Sequence, residues 1–549
     1  MPKTKFIFVV GGVVSGIGKG TSVSSIALLL KARGFRVTAV KIDPYLNVDA
    51  GTMNPTEHGE VFVTLDGLEC DQDIGNYERF LDTDLSRVNY MTNGQVYLSV
   101  IERERNLGYG GKCVEVVPHI PQEVIRRLEH AARVARAEFC IVEIGGTVGE
   151  YQSLLFLESA RIMQRANPGD VLTVLVSYFP IPPSIGEMKS KPTQAAIRSL
   201  NEAGLQPDIV IGRSERPIDD IRRAKVAVNS NLDIADIISA PDVASIYDIP
   251  MNFEKGGIAD RILEKLHLSS KGKDLKGWRA FVAGSHKAKK KVRIGVVGKY
   301  FGVGDYSLGD SYISVIEAIK HASYAEGASP EITWVDAERF EKKKKSVSLL
   351  EAYDGIIVPG GFGGRGVEGK IQAIRFAREK KKPYLGLCYG MQLACIEFAR
   401  HALGLKGAHT TEVDPKTPHP IIDILPEQKK LMEKKDYGGT MRLGGYACSL
   451  GEDTRAYKAY RVFGRERMRG SVIQERHRHR YEFTNSYLGK FAKAGMVASG
   501  INPDRNLVEI MELKNHPFFV GTQFHPELQS RPLRAHPLFR AFIKTALNH

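Results

Sequence analysis

The chain has 549 residues, 43% hydrophobic and 26% charged, with a formal net charge of +14. That is the composition of a globular protein long enough for more than one domain. No uninterrupted apolar stretch approaches the ~20 residues of a membrane span, and the six scattered cysteines contain no C-x-x-C pair, which argues against a disulfide scaffold or zinc site and fits a reducing cytoplasm.

The N-terminus, Met1 to Lys5, leads straight into an apolar strand, Phe6 to Val10, so no cleavable signal peptide is expected. A loop follows, Gly11-Gly12-Val13-Val14-Ser15-Gly16-Ile17-Gly18-Lys19-Gly20-Thr21, and then a helix pattern from Ser22 to Ala32. Glycines let backbone N–H groups face phosphate oxygens, and Lys19 adds charge. The loop is not a strict Walker A, because Gly20 stands where Ser or Thr would hold magnesium. Val37 to Ile42 reads as the next strand and carries Lys41 at its end, within reach of the same phosphates. Asp73, and Glu143 closing the buried strand Phe139 to Ile144, are candidate carboxylates for magnesium. Val171 to Tyr178 and Asp208 to Gly212 continue the strand series. Lys189-Ser190-Lys191-Pro192-Thr193-Gln194 sits at a predicted helix start that suits a second phosphate-bearing ligand, with Lys225 as a further basic candidate.

Residues 269–291 are polar and rich in Lys and Gly, with Trp278 as the only large anchor, and read as a linker. A second α/β unit starts at Val292 to Val297, with a helix from Ser311 to Ala325 and strands Gly355 to Val358 and Pro383 to Leu387. The alternation predicts an α/β protein of two doubly wound domains. The basic runs at Lys287 to Lys291, Lys342 to Lys345 and Arg476 to Arg480 lack any accompanying nucleic-acid-binding motif, so no nucleic-acid partner is expected.

Cys388 follows the strand ending at Leu387 and precedes a predicted helix, Met391 to Ala402. A thiol at such a turn is expected to be exposed and to face a helix N-terminus, which favours thiolate. Gly386 and Gly390 permit a tight backbone there. His525-Pro526-Glu527, at the end of the apolar run Phe518 to Phe524, offers a base and its orienter for a Cys-His-Glu triad. The turn Val358-Pro359-Gly360-Gly361-Phe362-Gly363 can present N–H groups, Gly360 among them, to an oxyanion. Together these residues resemble the glutaminase domain of triad-type glutamine amidotransferases.

A wider set of segments occurs in one order: Gly11 to Ser15, Lys41 to Tyr45, Gly51 to Met53, His58 to Val63, Tyr77 to Phe80, Pro118 to Ile120, Lys191 to Gln194, Gly439 to Gly444 and Glu475 to Tyr481. In that order the chain resembles the CTP synthase family over nearly its whole length. The resemblance implies a synthetase domain over 1–268, a linker over 269–291 and a glutamine amidotransferase domain over 292–549. It implies that ATP activates UTP by phosphorylation at O4, and that ammonia released from glutamine then displaces the phosphate. By matching motifs, Ser15, Gly16, Ile17, Gly18, Lys19, Gly20, Lys41 and Asp73 should contact ATP, with Asp73 and Glu143 on magnesium. Ser15, Glu150, Tyr151, Gln152, Lys189 to Gln194 and Lys225 should contact UTP or CTP. Gly361, Tyr389, Gly390, Met391, Gln392, Glu412 and Arg480 should bind glutamine, and His58 should lie near a tunnel exit for ammonia. The Gly439 to Gly444 segment resembles the lid through which GTP activates glutamine hydrolysis. Family members are tetramers, and some form filaments. At Glu150-Tyr151-Gln152 the family usually has Asp-Ile-Glu, so Gln152 keeps hydrogen bonding to a ribose but loses charge. Rival readings are another ATP-dependent amidotransferase, separable by uridine-nucleotide dependence, and a scaffold without turnover, which the intact reactive residues oppose.

Overall fold

The computed structural model describes residues 3–51, 53, 59–299, 302–303, 306–307, 309–342, 344–424 and 441–549. The chain folds into two compact units, one made of Met1–Thr52 with Asp73–Val282, the other of Met53–Gln72 with Ala283–His549.

The first unit is built on a seven-stranded sheet in the order Tyr90–Thr92, Val37–Asp43, Phe139–Ile144, Lys5–Gly11, Val171–Tyr178, Ile209–Ser214, Ile237–Pro241. Every pairing is parallel. Strands buried on both faces need continuous apolar sequence, which is what Phe139–Ile144 and Val171–Tyr178 supply. The helix after the Gly-rich loop begins at Lys19, three residues earlier than the apolar pattern indicates, because Lys19 and Gly20 form its first turn. The region read as a linker contains the helix Lys276–Lys287. Its Trp278 is buried against Phe80 and Tyr247 and donates from Nε1 to the Tyr247 carbonyl at 3.0 Å. The apolar anchor therefore docks this stretch on the first unit despite its polar composition.

The second unit has a nine-stranded sheet in the order Ala328–Asp336, Lys290–Gly298, Gly355–Val358, Tyr384–Leu387, Phe519–Thr522, Val508–Leu513, Met496–Ile501, Arg442–Leu450, Val472–His479. The first five strands are parallel and the rest antiparallel. The hairpin of Val61–Val63 and Glu69–Asp71 belongs to this unit. The fully buried Arg476 donates to the Val63 carbonyl at 3.1 Å, and Arg478 Nε donates to Glu69 Oε1 at 2.7 Å.

Candidate active sites

In the first unit, the register of the central strands sets Lys41 directly opposite Glu143 at the C-terminal ends of the sheet. Lys41 Nζ lies 2.7 Å from Glu143 Oε1 and 2.5 Å from Asp73 Oδ2. Asp73 opens the helix Gln72–Leu81, and a Cβ on Gly20 would come within 2.1 Å of its Oδ1, so the phosphate loop and the acid are fitted to one another. Lys19 bends back to donate to the Gly146 carbonyl at 2.7 Å. Burial, opposed by Glu143, lowers the Lys19 pKa. Burial would raise Asp73, but Lys41 brings it below the usual carboxylate range, whereas for Glu143 burial prevails and the pKa rises. Tyr77, which the sequence reading did not assign, donates its hydroxyl to Glu143 Oε2.

Among the described residues no three His, Cys, Asp or Glu side chains cluster as a metal cage. Magnesium on a nucleotide needs only one or two carboxylates beside phosphates and water. Asp73 and Glu143, facing the phosphate loop, fit that requirement.

The remaining nucleotide candidates are held by local partners. Glu150 Oε1 accepts from the Thr147 N–H at 3.0 Å and from its hydroxyl at 2.6 Å, Gln152 Nε2 donates to Glu150 Oε2 at 3.1 Å, and Tyr151 is exposed. Lys191 to Gln194 form the first turn of the helix Lys191–Glu202, with Gln194 bonded back to Ser190 at 3.2 Å and Thr193 buried. Lys189 pairs with Glu187, and Lys225 is exposed. No hydrogen bond or ion pair among the described residues joins these groups to Glu150 or Gln152. His58, Gly439 and Thr440 lie outside the described residues.

In the second unit, Cys388 caps the helix Tyr389–His401 with φ 50° and ψ −101°. Non-glycine residues rarely occupy φ > 0, and strain of this kind concentrates at functional sites. A Cβ on Gly390 would sit 2.1 Å from the Val358 carbonyl oxygen, so only glycine admits this tight strand-to-helix turn. The thiol is buried rather than exposed: its Sγ lies 3.8 Å from the Arg478 carbonyl and 3.7 Å from Gln523 Nε2. Gln523 was not assigned from sequence, since only the pairing of distant strands brings it to the sulfur.

His525 donates from Nδ1 to Glu527 Oε1 at 2.7 Å. Burial would lower the imidazole pKa, but Glu527 and then Cys388 hold it well above its ordinary value. A Cβ on Gly360 would lie 3.0 Å from His525 Cε1 and 3.9 Å from Cys388 Cβ, which packs the glycine turn over both. The Gly363 N–H donates to Glu412 Oε1 at 2.8 Å, and Tyr389 donates to the Gly363 carbonyl at 3.0 Å. Burial raises the Glu412 pKa against the pull of Gly363, Lys299 and Arg480. Gln392 Nε2 donates to the Tyr481 carbonyl at 2.9 Å. Met391 is turned into the core, packed where a Cβ on Gly521 would lie 2.8 Å from its Cγ, so only its backbone remains for ligand contact. The structure thus gathers Cys388, His525 and Glu527, the Gly360 turn, Tyr389 and Glu412 in one place.

Residues 5–268 match the family described as CTP synthase N-terminus, and residues 307–545 match glutamine amidotransferase class-I. The chain is 48% identical over 545 residues to the CTP synthase of Caldanaerobacter subterraneus subsp. tengcongensis, covering 99% of this chain and 98% of that one. It is 49% identical over 548 residues to the CTP synthase of Rubrobacter xylanophilus, covering 100% and 96%. Among solved structures, the glutaminase domain of Trypanosoma brucei CTPS with bound acivicin is 33% identical, with TM-score 0.42, over 47% of this chain and 94% of that one.

Proposed function

Because the chain belongs to the CTP synthase family, we propose that its two units divide between them the ATP-dependent amination of UTP to CTP. The protein is a glutamine-hydrolysing ligase that uses ATP, UTP and glutamine. The observation that carries the division is the placing of a strained Cys388 beside a His525–Glu527 pair in one unit, with a phosphate loop facing Lys41, Asp73 and Glu143 in the other.

In the glutaminase unit, Cys388 passes its thiol proton to His525, and the thiolate attacks the side-chain amide carbon of glutamine as the C=O π pair moves to oxygen. N–H groups of the Gly360–Gly361 turn and of Tyr389 receive the oxyanion. His525, as imidazolium, delivers its proton to the departing nitrogen, so the C–N bond breaks and ammonia leaves. His525 then takes a proton from water, whose oxygen displaces sulfur to give glutamate. Glu527 fixes the imidazole tautomer and stabilises its charge. Glu412 and Arg480 hold the amino acid end of the substrate.

In the synthetase unit, Lys19 and Lys41 and the N–H groups of Ser15 to Gly20 bind the ATP phosphates. Asp73 and Glu143 would hold magnesium, which supplies neutralisation of the charge on the transferring phosphoryl group. Until the nucleotide enters, Lys41 balances the two carboxylates. The uracil O4, once phosphorylated, leaves as phosphate when ammonia attacks C4. Ser15, Glu150, Tyr151, Gln152, Lys189 to Gln194 and Lys225 contact the pyrimidine nucleotide. Making ammonia within the protein keeps it from being protonated and lost to water. We extend the reading to GTP activation through the 439–444 segment, to a tetrameric assembly, and to a cytoplasmic protein; among the described residues no helix is long and apolar enough to cross a membrane.

The test is CTP formation by the purified protein from UTP, ATP and magnesium, with glutamine or an ammonium salt, with and without GTP. The expected result is synthesis from both nitrogen sources, with GTP accelerating only the glutamine reaction. No CTP from either source, in folded protein, overturns the reading.

A further inference from the structure

Lys370 occupies a costly position that the chemistry above does not use. It lies in the first turn of the helix Val367–Glu379, where the helix dipole disfavours a cation. Its side chain is fully buried, and Nζ has no hydrogen-bond partner among the described residues. A buried, unpaired ammonium is expensive, and titratable groups kept at such expense concentrate at functional sites. Burial, and then the neighbouring Lys299, pull its pKa down to about 7.

The placement of Nζ gives that cost a meaning. It lies 3.5 Å from the point a Cβ on Gly361 would occupy, and 5.4 Å from the centroid of the Tyr389 ring, within cation–π range. Gly361 belongs to the glycine turn packed on His525 and Cys388. Tyr389 opens the helix that Cys388 caps, and its hydroxyl reaches back to the Gly363 carbonyl. One amine therefore abuts both backbone segments that would line the oxyanion site. Charged groups on the surrounding elements are engaged elsewhere. Lys299 donates to the Phe362 carbonyl and feels Arg365, Glu412 and Glu338. Glu341 accepts from the N–H groups of Glu368 and Gly369, and Arg400 pairs with Glu368.

We propose that Lys370 is a positioning residue for glutamine hydrolysis: it braces the Gly360–Gly363 turn against Tyr389 and, when protonated, adds positive potential where the oxyanion of the tetrahedral intermediate forms. The proposal rests on the assignment of Cys388 as nucleophile. Neutral methionine has a comparable length and suits an apolar cavity, so Lys370→Met removes charge with little change in packing.

Glutamate release is measured against pH for wild type and Lys370→Met, with ammonia-dependent CTP synthesis as the check on folding. At pH below about 7 the variant should show a kcat reduced about tenfold, with KM little changed, since a charge behind the oxyanion donors counts for less than a donor itself. The gap should close as pH rises and wild-type Lys370 loses its proton. Equal kcat at all pH values, or a deficit constant with pH, overturns the proposal. If the variant fails the folding check, wild-type binding of an aldehyde analogue of glutamine, which Cys388 converts to an oxyanion-bearing adduct, decides. Its affinity should fall about tenfold as pH rises through about 7, and a flat profile there overturns the proposal. Glutamate release persisting in Cys388→Ala would instead sink the nucleophile assignment, a separate outcome.

Discussion

At Cys388 the backbone is held at φ 50° and ψ −101° and the sulfur is closed in by Arg478 and Gln523. The Gly-x-Cys-x-Gly frame announced the strained turn, because few other arrangements need glycine on both sides of a cysteine. It did not announce the burial, which comes from strands more than a hundred residues downstream in the case of Gln523. His525 and Glu527 were legible together because they are two residues apart, whereas Lys370 carries no local signal, since its neighbours Gly361 and Tyr389 lie in other elements. Glu527 raises the His525 pKa well above its ordinary value against the effect of burial. The stabilisation of imidazolium is therefore complete below the unfolded value of about 6.5 and is lost as pH rises through the higher folded value. In Glu527→Gln that alkaline loss should move to lower pH, with kcat for glutamate release down about 10³-fold. A pH–rate profile of the two proteins checks this, and an unmoved alkaline limb would remove Glu527 from the triad.

The elements follow from pattern where burial is two-sided. Phe139–Ile144 and Val171–Tyr178 form over the predicted spans, since their short, continuous and largely β-branched apolar runs suit strands buried on both faces. The helix Lys276–Lys287 was hidden by its polar residues, and Trp278 with Phe281 and Val282 docks it against Phe80 and Tyr247. At the start of the helix Tyr389–His401, Gly390 lies against the Val358 carbonyl at the end of the neighbouring strand Gly355–Val358. Gly390→Ala would drive a methyl group into the Val358 carbonyl. We expect a cost above ~3 kcal/mol, beyond ordinary overpacking, read as a lowered thermal midpoint. An unchanged midpoint would show that the turn relaxes freely.

For the whole molecule, the sequence made the division of labour readable because each reaction needs its own chemistry: a thiol with a base, or a cradle for phosphates. The local partners of Glu150, Gln152 and Lys189, which are Thr147, Glu150 and Glu187 respectively, were not readable, since a list of ligand candidates says nothing of what each side chain bonds in the folded chain. If the units divide the work, Cys388→Ala should abolish CTP formation from glutamine and leave the rate from ammonium salts within about twofold, whereas Lys19→Ala should reduce both by about 10² or more. Loss of both activities in Cys388→Ala would contradict independent sites.

The chain passes from one unit to the other at residues 52–53, again at 72–73, and finally at 282–283. Two of these passages carry the hairpin of Val61–Val63 and Glu69–Asp71 into the glutaminase unit and back out, with Val63 and Glu69 holding Arg476 and Arg478. A protease that cuts at the exposed Lys287 or Lys289 therefore severs only the last thread. The two fragments should separate on a denaturing gel yet migrate as one particle under native conditions, held by a hairpin that the N-terminal fragment contributes to the folded unit of the other.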